Sequence, residues 1–247
     1  TVFRAKEIET GIDEIWKEAT VSRGNSLIDV NNRIKDEAEI LRSLNHPKIP
    51  KFIDLGEIKN DNGEKVNVLI MEYIEGRSLK EDIITLKKMN KSFTTKEVIN
   101  LIIEICEILE HMADLEIPIY HRDIKPSNII IHETKGLHLI DFGLAKGVAA
   151  GSDMSMTRGM SEGWSPPERN NGISGPFTDV FSIGQIAWNM LTGERPFHGL
   201  DLDEIENKLS DNNHPEWIAK IIHESAQRYD RRIQSVHGFK VKLEKEG

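Results

Sequence analysis

The chain has a single cysteine among its 247 residues, Cys106. One thiol excludes an internal disulfide framework and a cysteine-ligated zinc cluster. Cys106 lies in an apolar stretch of helical period, where it reads as a small buried hydrophobe and not as a reactive nucleophile. A reducing, cytoplasmic compartment is the corresponding expectation. Basic excess is lacking too: the formal net charge is −9, which excludes a nucleic-acid or acidic-membrane binder held by bulk charge. No run approaches the roughly 20 uninterrupted apolar residues of a membrane span. Leu101 to Leu109 is too short and carries Glu104 and Glu107. No signal peptide, internal repeat or low-complexity tract is visible. The chain opens on Thr1 in what reads as mid-strand, so a tether further upstream is compatible with it.

What is present is ordinary material for a packed protein, with 38% hydrophobic and 30% charged residues, enough to bury a core. The length suits one large domain or two closely joined lobes. Short β-branched or aromatic segments at Val2 to Ile8, Ile12 to Val21, Phe52 to Ile58 and Val66 to Tyr73 read as strands. Thr10-Gly11 and Asp61-Asn62-Gly63 read as hairpin connections. Apolar residues at 34, 38, 41 and 44 predict a helix over Asn32 to Leu44, stopped by Asn45-His46-Pro47.

From residue 78 the pattern turns helical. A capping box at Thr94 to Glu97 opens a helix with Val98, Leu101, Ile102, Ile105, Leu109 and Met112 on one face, which reads as core packing. A second buried helix is predicted over Val180 to Leu191, ending at Thr192-Gly193. Lys240 to Glu246 reads as a solvated helix face or a frayed tail. The expected boundary falls near Glu75-Gly76, dividing a strand-rich lobe (1–75) from a helical one (76–247). Between the helices, Tyr120 to Glu168 is polar and loop-rich, the kind of region where chemistry concentrates.

That region contains His121-Arg122-Asp123-Ile124-Lys125-Pro126-Ser127-Asn128 and, shortly after, Asp141-Phe142-Gly143. Asp-Phe-Gly alone arises often by chance, but the eight-residue block followed by it does not. Together they resemble the eukaryotic-type (Hanks-type) serine/threonine protein kinases. The resemblance implies an α+β bilobal fold: a small antiparallel sheet with one regulatory helix, then a larger helical lobe. Its catalytic loop would span 121–128 and its activation segment 141–168.

The resemblance also implies ATP and Mg2+ as nucleotide and metal, and protein Ser/Thr hydroxyls as acceptors. Asp123 would orient or deprotonate the acceptor, Lys125 would neutralise the migrating phosphoryl group, and Asn128 and Asp141 would ligate magnesium. Lys17 matches the strand lysine that grips the phosphates and Glu37 the helix glutamate that holds it, with Lys6 and Glu39 as the nearest competitors. Met71 would be the gatekeeper, the backbones of Glu72 and Ile74 would bond the adenine edge, and Val2 and Ile130 would sandwich the ring.

Two positions depart from the pattern. Thr1 to Ala5 looks like the strand just after the glycine-rich loop, so the chain reads as truncated there, and Ile15 stands where the family usually has alanine. Glu168, in Ser165-Pro166-Pro167-Glu168, is expected to pair with Arg232 or alternatively Arg231, and Asp179 to anchor the catalytic loop. Leu41, Phe52, His121 and Phe142 fall at the positions of the family's hydrophobic stack, and Ser161 at the hydroxyl that contacts the catalytic aspartate. Ser127 replaces the glutamate of arginine-directed kinases. By the resemblance, Arg122 before the catalytic aspartate implies control by phosphorylation at Ser152, Ser155 or Thr157, the alternative being a polar loop with incidental hydroxyls. The alternatives are a pseudokinase scaffold and a small-molecule kinase of related fold. Lys17, Asp123 and Asp141 speak against the first, and the Lys125-Pro126-Ser127-Asn128 run against the second.

Overall fold

The computed structural model describes residues 1–20, 26–60, 62–147, 161–196 and 199–247. The first part is a four-stranded antiparallel sheet built from β1 (Val2–Lys6), β2 (Asp13–Glu18), β3 (Phe52–Lys59) and β4 (Lys65–Glu72), in the order β1-β2-β4-β3. Side chains alternate along a strand, so Ile15 and Lys17 share one face of β2. In register, Ile15 faces Met71 and Lys17 faces Leu69. Gly11 takes a left-handed φ of 70° in the β1–β2 turn, and Gly63 takes 76° between β3 and β4. Asp61 of that second turn, and Val21 at the end of the second expected strand, lie outside the described residues.

Helix α1 (Leu27–Ser43) packs on this sheet through Val30, Ile34, Ala38 and Leu41. It starts five residues before the expected Asn32. Ser26 and Asp29 form a capping box, with the Ser26 hydroxyl accepting from Asp29 N and the Asp29 carboxylate from Ser26 N. An exposed Ile28 in this first turn blurs the apolar period there.

After Glu72 the chain runs through β5 (Arg77–Ser78) into α2 (Leu79–Lys88), a helix the apolar pattern leaves unmarked; Ser78 and Glu81 cap it. At Gly76 an added Cβ would lie 2.4 Å from the carbonyl of Ile131, so only glycine lets the connector pass β7 (Ile129–His132) this closely. Helix α3 (Thr95–Ala113) opens at the expected Thr94–Glu97 box and buries Cys106, whose thiol is pushed well above its ordinary pKa by desolvation. The hairpin β7–β8 (Gly136–Leu139) and the short pair β6 (Ile119–Tyr120) with β9 (Lys146–Gly147) frame the loops between them.

Helix α4 (Pro176–Thr192) is the centre of the second part, buried around nearly its whole circumference, with Phe181, Ile183, Ile186, Trp188 and Leu191 in the core. It begins four residues before the expected Val180 because Pro176 is a favourable first-turn residue. Helices α5 (Leu202–Asp211), α6 (Glu216–Ala226) and α7 (Val236–Glu246) surround it. At Gly184 an added Cβ would lie 1.7 Å from Ser225 Oγ, so α6 rests directly on the α4 backbone. Of the two expectations for Lys240 to Glu246, the helix holds and the frayed tail does not: the stretch is part of α7, with Phe239 and Leu243 in the core. Its Lys240 bonds Glu110 of α3 at 3.0 Å.

Candidate active site

Lys17, projecting from β2, places its ammonium 2.7 Å from Glu37 Oε1 on α1 and 2.7 Å from Asp141 Oδ1. Burial opposes the lysine's charge, but the two carboxylates outweigh it and its pKa stands above the ordinary value. One cation serves two anions. Glu37 is therefore raised, chiefly by its burial and further by Asp141, while the more open Asp141 is held low by Lys17 despite its own desolvation. A Cβ on Gly143 would come 3.2 Å from both Lys17 Nζ and Glu37 Oε2, so a glycine there leaves the charge cluster its room.

The second cluster lies on the loop after β6. Asp123 is buried, and its carboxylate accepts from Lys125 Nζ at 2.6 Å and from the Ser161 hydroxyl at 2.6 Å; Lys125 also donates to Ser161 Oγ at 2.8 Å. Asn128 ends this loop in a 3-10 turn, Pro126–Asn128. Its amide nitrogen donates to the Asp123 carbonyl at 3.0 Å and to Oδ2 at 3.3 Å, which turns its own Oδ1 away from Asp123. Asn128 also accepts at its backbone carbonyl from Ile140 N at 2.9 Å, tying this loop to the residue before Asp141.

Asp179 on α4 holds the loop from behind. Its two oxygens accept from His121 N at 2.9 Å and Arg122 N at 2.8 Å. Arg122 and Asp141 both adopt φ of 67°, a left-handed conformation costly for non-glycine residues and maintained by such surrounding bonds. His121 is fully buried, its ring 5.0 Å from that of Phe142, and desolvation holds its pKa below the usual histidine value. It is a packed neutral ring: Nδ1 accepts from Asp123 N at 3.4 Å. Leu41 is buried as well, whereas Phe52 is half-buried with the Arg42 guanidinium 4.4 Å from its ring centroid.

Around the cleft, Met71 is buried at the end of β4, Ile130 is half-buried on β7, and Val2 is exposed on β1 opposite Lys17. The Glu72 N–H donates to Lys51 O at 2.9 Å, so that donor is already engaged; Ile74 lies in the connector that follows. Lys6 and Glu39 stay on the surface, and the cluster uses Lys17 and Glu37. Glu168 pairs with Arg232, not Arg231, through bonds of 2.5 and 3.2 Å in a buried two-pronged contact. Ser152, Ser155 and Thr157 lie outside the described residues. One polar residue behind the loop goes unmarked in the sequence: Arg169, which follows Glu168 and reads there as one more surface charge.

The oxygen donors suit magnesium. The described residues hold no group of three or more His, Cys, Asp or Glu side chains fit for a metal by themselves. An amide oxygen at Asn128 and a carboxylate at Asp141, whose hydrogen bonds to Lys17 and Gly143 both fall on Oδ1, match an ion that shares its remaining positions with phosphate and water.

A sheet-and-helix part joined to a helical part, with Lys17–Glu37–Asp141 and Asp123–Lys125–Asn128 at their junction, defines a bilobal kinase fold. The protein kinase domain family matches residues 1–239, and the chain belongs to that family. Among curated relatives it is 33% identical over 171 residues to the probable serine/threonine-protein kinase PknB of Corynebacterium glutamicum. The same identity and length hold for serine/threonine-protein kinase PknB of Mycobacterium tuberculosis; each match covers 68% of this chain, and 25% and 26% of those proteins respectively. A probable serine/threonine-protein kinase of Corynebacterium efficiens is 30% identical over 204 residues, 80% of this chain and 29% of the relative. The chain thus spans about a quarter of the length of the curated relatives it matches.

Proposed function

We propose that this chain transfers the γ-phosphoryl group of ATP to serine or threonine hydroxyls of protein substrates. The observation that carries the reading is the Asp123 carboxylate held between Lys125 Nζ and the Ser161 hydroxyl, each at 2.6 Å. A buried carboxylate already engaged with a hydroxyl and an ammonium is equipped to receive a substrate hydroxyl and neutralise a phosphate beside it. In the proposed step the acceptor oxygen forms a bond to the γ-phosphorus, the bond from that phosphorus to the β–γ bridging oxygen breaks, and ADP leaves. The acceptor's proton passes to Asp123, and Lys125 balances charge on the transferring group.

Lys17, fixed by Glu37, would hold the α- and β-phosphates, while Asn128 and Asp141 would hold magnesium. When bound, the ion supplies charge neutralisation and in-line alignment of the phosphates. The adenine would meet the Glu72 carbonyl and the Ile74 backbone beside Met71, between Val2 and Ile130. Ile15 shares the Lys17 face of β2 and narrows the ceiling of that space. The serine/threonine preference draws support from Lys125 and Ser161 and from the names of the relatives.

The test is incubation of the full-length protein with labelled ATP, magnesium and a serine-rich protein, beside Asp141→Ala. Label on protein with the first and none with the second is the expected result. Silence from both, with ATP failing to raise the melting temperature, would replace this reading by a non-catalytic scaffold.

A further inference from the structure

Arg169 lies in the 3-10 turn Pro167–Asn171, directly after the ion-paired Glu168, and is buried. Its Nη1 donates to the carbonyl of Arg122 at 2.7 Å and to Ser165 Oγ at 3.0 Å. Both acceptors are neutral oxygens, and Nη2 has no hydrogen-bond partner among the described residues. A buried guanidinium with a nitrogen left over is a costly way to fill space, so the bonds it does make call for an account.

Those bonds fall on a particular peptide. Arg122 is left-handed, with φ of 67°, and its N–H is held by Asp179 of α4. Its carbonyl belongs to the peptide plane leading into Asp123, and that carbonyl is what Arg169 grips. Arg122 is thus held on both sides, the peptide before it by an acid from α4 and the peptide after it by the base that follows Glu168. The same guanidinium nitrogen reaches Ser165, four residues beyond the Ser161 that bonds the Asp123 carboxylate.

We propose that Arg169 is a positioning residue for Asp123: together with Asp179 it clamps the left-handed Arg122 and so sets the direction of the Asp123 carboxylate while registering the Ser161–Ser165 segment against it. This rests on the phosphotransfer reading above for its kinetic consequence, though the clamp itself can be measured without it. Burial lowers the pKa of Arg169, while Asp179 and Asp123 pull the other way, and a guanidinium is the side chain best able to stay charged there.

The test compares full-length wild type with Arg169→Gln and Arg169→Lys by steady-state kinetics and by amide hydrogen exchange over residues 119–125. Arg169→Gln is expected to lower kcat about 10- to 100-fold, with the ATP KM within about twofold and faster exchange at 122–123. Arg169→Lys, which keeps a charged donor, should recover most of kcat. Unchanged kcat and exchange in Arg169→Gln overturn the proposal, as does a loss of activity that merely tracks the folded fraction and is no better in Arg169→Lys. Should Arg169→Gln fail to fold, Arg169→Lys decides: a few-fold lower kcat with faster exchange supports the clamp, and wild-type values for both overturn it. Faster exchange in a protein whose wild type transfers no phosphate would uphold the clamp and reject the phosphotransfer reading.

Discussion

The ammonium of Lys17 lies 2.7 Å from carboxylate oxygens of both Glu37 and Asp141, joining β2, α1 and the loop after β8 in one charge cluster. Two acids share one base, and the more deeply buried acid is the one whose charge is less well compensated. Replacing Lys17 therefore leaves Glu37 either an uncompensated buried anion or a protonated acid.

Lys17→Met is expected to lower phosphotransfer about 100-fold or more. It should also destabilise the fold by about 2 kcal/mol, less than a fully buried pair would lose because Glu37 can take up a proton. The sign with pH follows. In wild type, Asp141 is held low, so its contribution is complete above the unfolded carboxylate pKa and is lost as pH falls through the folded one. In the variant Asp141 loses that support and Glu37, already raised, rises further, so acid favours the folded variant. Thermal melts at pH 8 and pH 5.5 should show the gap between the two proteins narrowing in acid; a constant gap contradicts the cluster as described.

Ser161 bridges Asp123 and Lys125, and Ser161→Ala removes the bridge while keeping both charged partners. A loss of about tenfold in kcat/KM for the protein acceptor is expected, with little change in the ATP KM. Asp123→Asn should cost far more. Initial-rate measurements varying each substrate in turn decide the matter, and a selective rise in the ATP KM of Ser161→Ala would contradict the assignment.

Arg232→Met strands Glu168 in the core, because the guanidinium also holds the carbonyls of Gln227 and Phe177. A destabilisation of about 3–5 kcal/mol is expected, the range for breaking a buried pair from one side. Arg231→Met should cost under about 0.5 kcal/mol, as surface substitutions do. Urea unfolding of the two variants gives the comparison directly.

His121 is buried and neutral, its pKa depressed by desolvation, and His46, His138 and His214 are shifted the same way for the same first cause. The unfolded chain takes up protons below about pH 6.5 that the folded chain resists. Stability is thus fully present above that value and falls as the solution is acidified through it. The urea midpoint should drop between pH 7.5 and pH 5.5, and His121→Phe should flatten the slope. A midpoint that rises over this window would count against these rings being held neutral.

Much of this is legible in the sequence because the relevant signals are local. The Thr94–Glu97 box, the spacing of α3, and the block from His121 to Asn128 need only neighbours in sequence. The start of α1 is hidden because its first turn mixes the buried Val30 with an exposed Ile28, and the Ser26–Asp29 cap carries no apolar signal. Helix α2 hides for a related reason: only Leu79 and Ile83 of its ten residues are buried. Arg169 is the instructive miss. Its partners, the Arg122 carbonyl and Ser165 Oγ, are a backbone atom and a small hydroxyl, and neither leaves a charge pattern in the sequence. Ile15, by contrast, is legible as a bulky residue from the sequence, and its pairing with Met71 shows what it packs beside.

The contact of Gly184 with Ser225 carries a consequence for how such chains diversify. Helix α4 bears Asp179, and α6 touches it where no side chain intervenes. Position 184 can therefore gain a side chain only if 225 carries a smaller one. A lone substitution at 184, far along the chain from Asp123, would be scored in a screen for lost activity beside the catalytic loop itself. The second-site change that restores it would map to 225.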